Sequence, residues 1–187
     1  LWIMPHSLIT VSLATAMLPS ASRLAEAGDF EGVRNETLRT MKLAVTVLLP
    51  VSVGFVALAG PIAQLLFGNG AGAEDARFIG WALMALAVGL VPFTLHYICL
   101  RSLYALEDTR SAFLVQVVIA IANVGFAMAL VVPFHRPTLV AAALGLAYSL
   151  AYVVGLWVVW RILQRKLPGL SMRALARHLV RLFLAVL

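Results

Sequence analysis

The stretch AFLVQVVIAIANVGFAMALVVPF, residues 112–134, decides the fold class because it contains no Asp, Glu, Lys or Arg. A helix of about 20 apolar residues crosses the roughly 30 Å hydrocarbon core of a bilayer. Two more uncharged stretches, Phe78–Leu100 and Thr138–Trp160, reach the same length. These runs are about twice as long as membrane-barrel strands and do not alternate in polarity. The chain is therefore predicted to be all-α, a polytopic transmembrane helix bundle.

Three shorter apolar stretches complete the predicted spans. Residues 43–59 form a full span that continues the helix-prone stretch before it, whereas 1–19 and 179–187 are partial spans. Because the chain begins and ends inside apolar runs, we expect it to be a single transmembrane fragment of a longer protein. Pro61 opens an amphipathic piece that a glycine-rich stretch ends, so residues 61–67 are predicted to be a short interfacial helix.

The composition favours a membrane protein over a soluble domain. The sequence is 63% hydrophobic and 12% charged, whereas soluble domains carry about 25% charged residues. The net charge of +6 does not indicate nucleic-acid binding, because no basic stripe interleaved with aromatic residues occurs. The single cysteine, Cys99, allows no disulfide within the chain and lies among apolar neighbours, as a small buried side chain would.

The basic residues alternate between connections and predict the orientation. The first, third and fifth connections hold twelve Lys and Arg residues, whereas the second and fourth hold only Arg77 and Arg136. The positive-inside rule places the connections rich in basic residues in the cytoplasm. We therefore expect a multi-pass plasma membrane protein whose chain starts on the outer side.

Two prolines and one turn are candidates for a conformational role. Pro50 and Pro92 lie inside predicted spans, where proline removes a backbone hydrogen bond and bends the helix. Such breaks create flexible sites in transporters, although bent helices also serve packing alone. Asp108 and Arg110 are predicted to order a tight cytoplasmic turn, because Asp bonds readily to the local backbone. Asn123 lies near the middle of a span and is predicted to face another helix or a wet cavity.

The sequence shows no pattern that indicates catalysis. All eight acidic residues lie in connections, and no HExxH, GxSxG or P-loop motif occurs. The adjacent acids at 74–75 and 107–108 are predicted on opposite sides of the membrane, so they cannot form one metal-dependent transfer site. We therefore predict neither an enzyme nor a bound cofactor or metal.

Three motifs resemble segments of one transporter family. They are LATAMLPS at 13–20 with Ser22-Arg23 and Gly28-Asp29, GPI at 60–62 with LLF at 65–67 and Gly70, and RSLYALEDTR at 101–110. In this order and spacing they resemble the MurJ/MviN family of lipid II flippases, within the multidrug/oligosaccharidyl-lipid/polysaccharide exporter superfamily. The resemblance covers essentially the whole chain, from about the eighth to the start of the thirteenth core helix.

The resemblance implies transport rather than chemistry. It implies that the chain is the second-lobe portion of a two-lobed exporter, which flips the peptidoglycan precursor lipid II across the plasma membrane by alternating access. The implied partners are lipid II or a similar polyprenyl-pyrophosphate glycolipid, membrane lipids and the missing first lobe. A cationic, wet cavity would replace the hydration that the pyrophosphate loses, since bare charge is very costly in hydrocarbon.

The sequence departs from the family pattern at the place of a charged substrate site. Ile3 stands where some members carry an acid, and the turn motif ends in Ser111-Ala112 without a proline. No charged substrate site therefore carries over to this chain. Trp2, His6 and Ser7, near the outer end of the first span, are the candidates for cavity lining.

Two other functions stay open at the level of the sequence. A related exporter would carry another polyprenyl-pyrophosphate-linked oligosaccharide, and the glycolipid that accumulates on depletion would distinguish it. A non-transporting scaffold for cell-wall synthesis would tolerate changes in the cavity but not on the surface. A membrane-embedded transferase is disfavoured because no acidic pair lies within a span.

Overall fold

The computed structural model describes residues 1–69, 75–132 and 137–186, and these ranges are helical apart from short turns. A single turn of π-helix, His6–Thr10, leads into the first of seven helices. The helices are α1 (Val11–Glu26), α2 (Phe30–Phe67), α3 (Ala76–Val88), α4 (Leu90–Ala105), α5 (Thr109–Val131), α6 (Pro137–Lys166) and α7 (Met172–Val186). No strand occurs in the described ranges.

The long helices have the dimensions of membrane spans. Within the described residues, four helical segments are long and apolar enough to cross a bilayer, and the bent pair α3–α4 gives a fifth. The four are His6–Glu26, Phe30–Phe67, Thr109–Val131 and Leu139–Lys166. The predicted all-α transmembrane bundle is therefore confirmed.

Two aspartates start the long helices α2 and α5. The side chain of Asp29 accepts a hydrogen bond from the Gly32 N–H at 2.8 Å, and that of Asp108 accepts one from the Ser111 N–H at 3.0 Å. These bonds satisfy amide groups that have no partner inside the helix. Gly28, at φ 73°, supplies the left-handed residue between α1 and α2.

Helix α2 is continuous through Pro50 and Pro61 and ends at Phe67. Residues 61–67 thus form its last turns, which differs from the separate interfacial helix that the sequence predicted. Pro61 removes only its own hydrogen bond to the Ala57 carbonyl, and proline is tolerated inside a helix that neighbouring helices support. A Cβ on Gly80 would lie 3.2 Å from the Ala59 carbonyl oxygen and 3.3 Å from the Gly60 Cα. The backbone of α3 at Gly80 therefore packs directly against the α2 backbone at Ala59 and Gly60, just before Pro61.

The predicted span 78–100 is divided into α3 and α4, which bend by 41° at Gly89. Pro92 is the cause, since it has no N–H to offer the Val88 carbonyl and its ring crowds that group. The Gly89 N–H donates to the Leu86 carbonyl at 3.0 Å, which tightens the last turn of α3. The bend therefore lies one turn before the proline.

Helix α6 packs against α3, α4 and α5 through small residues. A Cβ on Gly145 would lie 3.2 Å from the Ala82 carbonyl oxygen, and one on Gly155 would lie 2.5 Å from the Ile119 Cδ1. Small residues allow helices to approach this closely. The opposite faces of the bundle are apolar and exposed, as in Phe113 at 68%, which suits contact with lipid.

Candidate functional site

The start of the chain packs into a group of aromatic rings that we call the aromatic cluster, formed by Trp2, His6, Phe93, Tyr97, Tyr148 and Tyr152. The Trp2 ring lies edge-on to Phe93 and Tyr148, with centroids 5.8 and 5.6 Å apart. The Phe93 ring also lies edge-on to Tyr152 at 4.7 Å. Such edge-to-face pairs are favourable arrangements of aromatic rings. The cluster joins the first residues to α4 and α6.

His6 is the polar centre of the aromatic cluster. Its side chain is buried, and the Nδ1 atom lies 3.1 Å from the Thr94 Oγ1 in α4. The ring centroid is 4.3 Å from that of Phe93 and 5.2 Å from that of Tyr97. The π-helical turn begins at His6, whose carbonyl accepts the Val11 N–H. Single π turns often occur at functional sites.

The four residues predicted to line a cavity occupy different environments. Trp2 is half-buried and contacts the other aromatic rings, whereas Ser7 is exposed on the neighbouring side of the π turn. Asn123 is half-buried on α5 and is not part of the aromatic cluster. The structure thus brings Trp2 and His6 together, and Ser7 and Asn123 lie apart from them. That all four line a cavity stays a prediction.

Two serines cap the bend between α3 and α4. Ser149 Oγ on α6 donates to the Ala85 carbonyl at 2.7 Å, and Ser52 Oγ on α2 donates to the Ala87 carbonyl at 2.7 Å. In a continuous helix the Ala85 carbonyl would accept from Gly89, whose N–H bonds to Leu86 instead. Hydroxyls from two neighbouring helices therefore replace backbone bonds at the bend.

Little in the sequence indicates these caps. Ser149 follows Ala141 and Gly145 at a spacing of four residues, a ridge of small residues that is typical of packing. A side chain on Gly89 would collide with Ser149. Thr94, the partner of His6, and Ser52 were also not expected to matter. A serine on a small-residue ridge opposite a proline-containing span is the only signal in the sequence, and it is weak.

The turn between α4 and α5 is ordered by Asp108. Its Oδ1 accepts from the Ser111 N–H, and its Oδ2 lies 2.8 Å from the Lys166 Nζ at the end of α6. Burial alone would raise the pKa of Asp108, but the hydrogen bonds from Lys166 and Ser111 lower it to about 2. Arg110 is exposed on the first turn of α5. Glu107 before the cap has φ 56°, a left-handed conformation.

The described parts of the chain contain no group of three His, Cys, Asp or Glu side chains that could hold a metal ion. What they contain is a set of long apolar helices, one of them bent at a proline and capped by side chains from its neighbours. Broken spans of this kind are a feature of secondary transporters. The fold and the bent span together define a multi-pass α-helical membrane protein with one broken span.

Comparison with known proteins identifies the family. Residues 1–187 match the family described as "Lipid II flippase MurJ". The chain therefore belongs to this family. A solved structure named "Lipid II flippase MurJ, inward closed conformation" has the same fold, with a TM-score of 0.79 and 18% sequence identity. That match covers 99% of this chain and 37% of the solved chain, which confirms the exporter fold.

Relatives in two bacteria are similar over most of this chain. A "Probable lipid II flippase MurJ" from Synechocystis sp. is 27% identical over 179 residues, which are 95% of this chain and 33% of the relative. One of the same description from Rhizobium meliloti is 24% identical over 159 residues, 84% of this chain and 30% of the relative. The chain thus spans about a third of the length of these relatives.

Proposed function

We propose that this chain is the second-lobe portion of a flippase that carries lipid II across the plasma membrane by alternating access, and that it acts without catalysis. The observation that carries the proposal is the match of residues 1–187 to the lipid II flippase MurJ family. The partners would be lipid II, the surrounding membrane lipids and the first lobe of the same transporter.

The charge pattern supports one orientation in the membrane. The basic residues gather at the end of α1 and the first part of α2, around the turn between α4 and α5, and at the end of α6 and in α7, and the positive-inside rule favours the cytoplasm for them. The Asp108–Lys166 ion pair would then lie on the cytoplasmic side. The chain would start on the outer side, so the aromatic cluster around Trp2 and His6 would lie in the outer half of the bundle.

The first residues and Asn123 would form part of the cavity wall. The half-buried Trp2 offers a ring edge to a sugar or peptide group, and the exposed Ser7 offers a hydroxyl. The buried His6 would support this wall from behind through its contacts with Thr94 and Phe93. These groups are polar without carrying a fixed charge, so the pyrophosphate would be bound by other parts of the transporter. An uncharged polar wall of this kind would let the lipid II headgroup pass rather than bind it tightly.

The bent span would take part in the movement between the two lobes. Pro92 leaves α3 and α4 without a continuous backbone ladder, and Pro50 removes one bond of the adjacent α2. Ser52 and Ser149 hold the bend by single hydroxyl bonds, which can exchange more readily than a helical ladder. This arrangement supports a conformational role for the two prolines.

The test is complementation by the full-length protein in cells depleted of their own lipid II flippase. Rescue of growth and of lipid II translocation, lost on deletion of residues 1–187, is the expected result. Failure despite normal membrane expression contradicts the proposal. If another lipid-linked oligosaccharide accumulates on depletion, the protein is a related exporter with a different substrate.

A matched pair of substitutions distinguishes a transporter from a scaffold. Ser7 and Leu8 are adjacent and exposed, and they point in different directions around the axis of the π turn. Ser7→Trp should block lipid II translocation if Ser7 lines the cavity, whereas Leu8→Trp should leave it intact. A scaffold would tolerate Ser7→Trp, and any loss of wall synthesis would then come from the surface substitution Leu8→Trp.

A further inference from the structure

A basic cavity lies between α2 and α7, away from the aromatic cluster and the bend. It has a volume of about 290 Å³ and is lined by Lys42, Arg177, His178 and Arg181. None of these four residues is acidic. Lys42, Arg177 and Arg181 form no ion pair with the described residues, whose ion pairs are Arg34–Glu31 and Lys166–Asp108. The cavity thus gathers three positive charges that have no protein counter-ion in the described part of the chain.

The cavity lies at the boundary between charged and apolar surface. Lys42 is the last charged residue of α2, and Arg181 is the last charged residue of α7. The next residues on these helices expose large apolar side chains, including Leu43 at 49% and Leu184 at 70%. Two helices therefore pass from water-facing to lipid-facing surface at the same place, which is the level of the lipid headgroups.

The walls of the cavity are held in place by α2 and the core. Thr46 Oγ1 donates its one proton to the Lys42 carbonyl at 2.7 Å, so its contact with His178 Nε2 at 3.0 Å requires the ring to donate. His178 is thereby fixed with Nε2 towards α2. Leu175 is 1% exposed and belongs to the core, which anchors the other face of α7.

We propose that this cavity binds the phosphate of an anionic phospholipid in the leaflet that faces the basic connections. Arg177 and Arg181 supply the planar forks that match a phosphate, and Lys42 supplies a compact third charge. The exposed apolar side chains beside the cavity would contact the acyl chains. A free phosphate ion would pair with the basic side chains but would leave the neighbouring apolar surface without a partner. A phospholipid would contact both, so it fits the cavity better.

The experiment measures lipid binding to the purified full-length protein by native mass spectrometry, with phosphatidylglycerol as the probe and phosphatidylcholine as the neutral comparison. The test variant is Arg177→Gln with Arg181→Gln. The matched control is Arg165→Gln with Arg173→Gln, which removes the same charge from exposed positions that do not line the cavity. The test variant should bind one phosphatidylglycerol roughly thirty-fold more weakly, and the control should bind it like the native protein.

A second variant and a competitor keep the result unambiguous. Arg177→Lys with Arg181→Lys conserves the charge but loses the planar forks, so it should bind more weakly than the native protein and more tightly than the Gln variant. Binding at this intermediate level excludes misfolding of α7 as the cause. Equal weakening in both Gln variants would indicate diffuse attraction and overturn the proposal, as would full displacement of the lipid by excess inorganic phosphate. Equal binding of phosphatidylcholine would overturn it too. Since no transport is measured, the result is independent of the proposed flippase activity.

Discussion

Replacing both Ser52 and Ser149 by Ala should destabilise the protein at the bend between α3 and α4. Each hydroxyl donates at 2.7 Å to a carbonyl, of Ala87 and Ala85 respectively. A hydrogen bond of this kind contributes about 1 kcal/mol, and bonds between helices in a membrane average somewhat less. Hydrocarbon offers the two carbonyls no replacement donor. We therefore expect a loss of about 1 kcal/mol for each substitution and about 2 kcal/mol for both.

The assay is reversible unfolding of the full-length protein in mixed micelles with increasing SDS. The free energy of unfolding is compared between the native protein, the single variants and the double variant. Ser12→Ala is the control, because the Ser12 hydroxyl donates to Leu8 within its own exposed stretch of helix at 2.7 Å. Such a local bond adds little to stability, so the control should change by less than about 0.5 kcal/mol.

The unfolding free energies of the serine variants can contradict this prediction. If the double variant unfolds at the same free energy as Ser12→Ala, then the two hydroxyls do not replace backbone bonds at the bend. If only Ser149→Ala lowers the free energy of unfolding, then the hydroxyl on α6 alone stabilises the bend. Ser52 would then be a packing residue.

Three further predictions follow from the prolines and from the turn between α4 and α5. Pro50→Ala and Pro92→Ala should lower lipid II translocation more than membrane expression, whereas a loss of expression alone would contradict a conformational role. Asp108→Ala should cost about 1 kcal/mol by removing the helix cap, and Asp108→Asn should cost less because Asn also caps well. Since the pKa of Asp108 is lowered from 3.8 to about 2, its ionised form stabilises the protein above about pH 4 and this contribution is lost as the pH falls through about 2. Unfolding measured against pH should show this loss in the native protein and not in Asp108→Asn. Glu107→Gly should be about 1 kcal/mol more stable than Glu107→Ala, because Glu107 has φ 56° and only glycine adopts it without strain. Equal thermal stability of the two variants would rule out strain at this residue.

The sequence was sufficient to predict the apolar helices, because length and the absence of charge specify a membrane span directly. It also predicted that Asp108 and Arg110 order a tight turn, because Asp bonds readily to the local backbone; the structure shows the Asp108 side chain accepting from the Ser111 N–H, whereas Arg110 is exposed.

The sequence indicated that Pro92 bends the span 78–100, but it did not predict how the bend is capped, because Ser52 and Ser149 lie on other helices. The continuity of α2 through Pro61 was missed because a helix tolerates proline where neighbouring helices support it.

The candidate site was predictable only as a set of residue types. Trp2 and His6 were recognised as polar or amphipathic residues near a span end, but their partner Thr94 is remote in sequence. Which side chains meet between two helices depends on how each helix is rotated about its own axis. The π turn at His6 contains one extra residue and so changes the direction in which the preceding side chains point. Hydropathy contains no information on such a shift.

The contact between Gly155 and Ile119 has a consequence for how this protein can diverge. Any side chain at position 155 would overlap the Ile119 Cδ1 and Cγ1 atoms at 2.5 Å, so the two positions share one fixed volume. A lineage that acquires alanine at 155 must therefore move the Ile119 side chain to another rotamer or replace it by a smaller residue. Because a smaller residue at 119 alone would leave a cavity beside Gly155, changes at the two positions should occur together among related sequences.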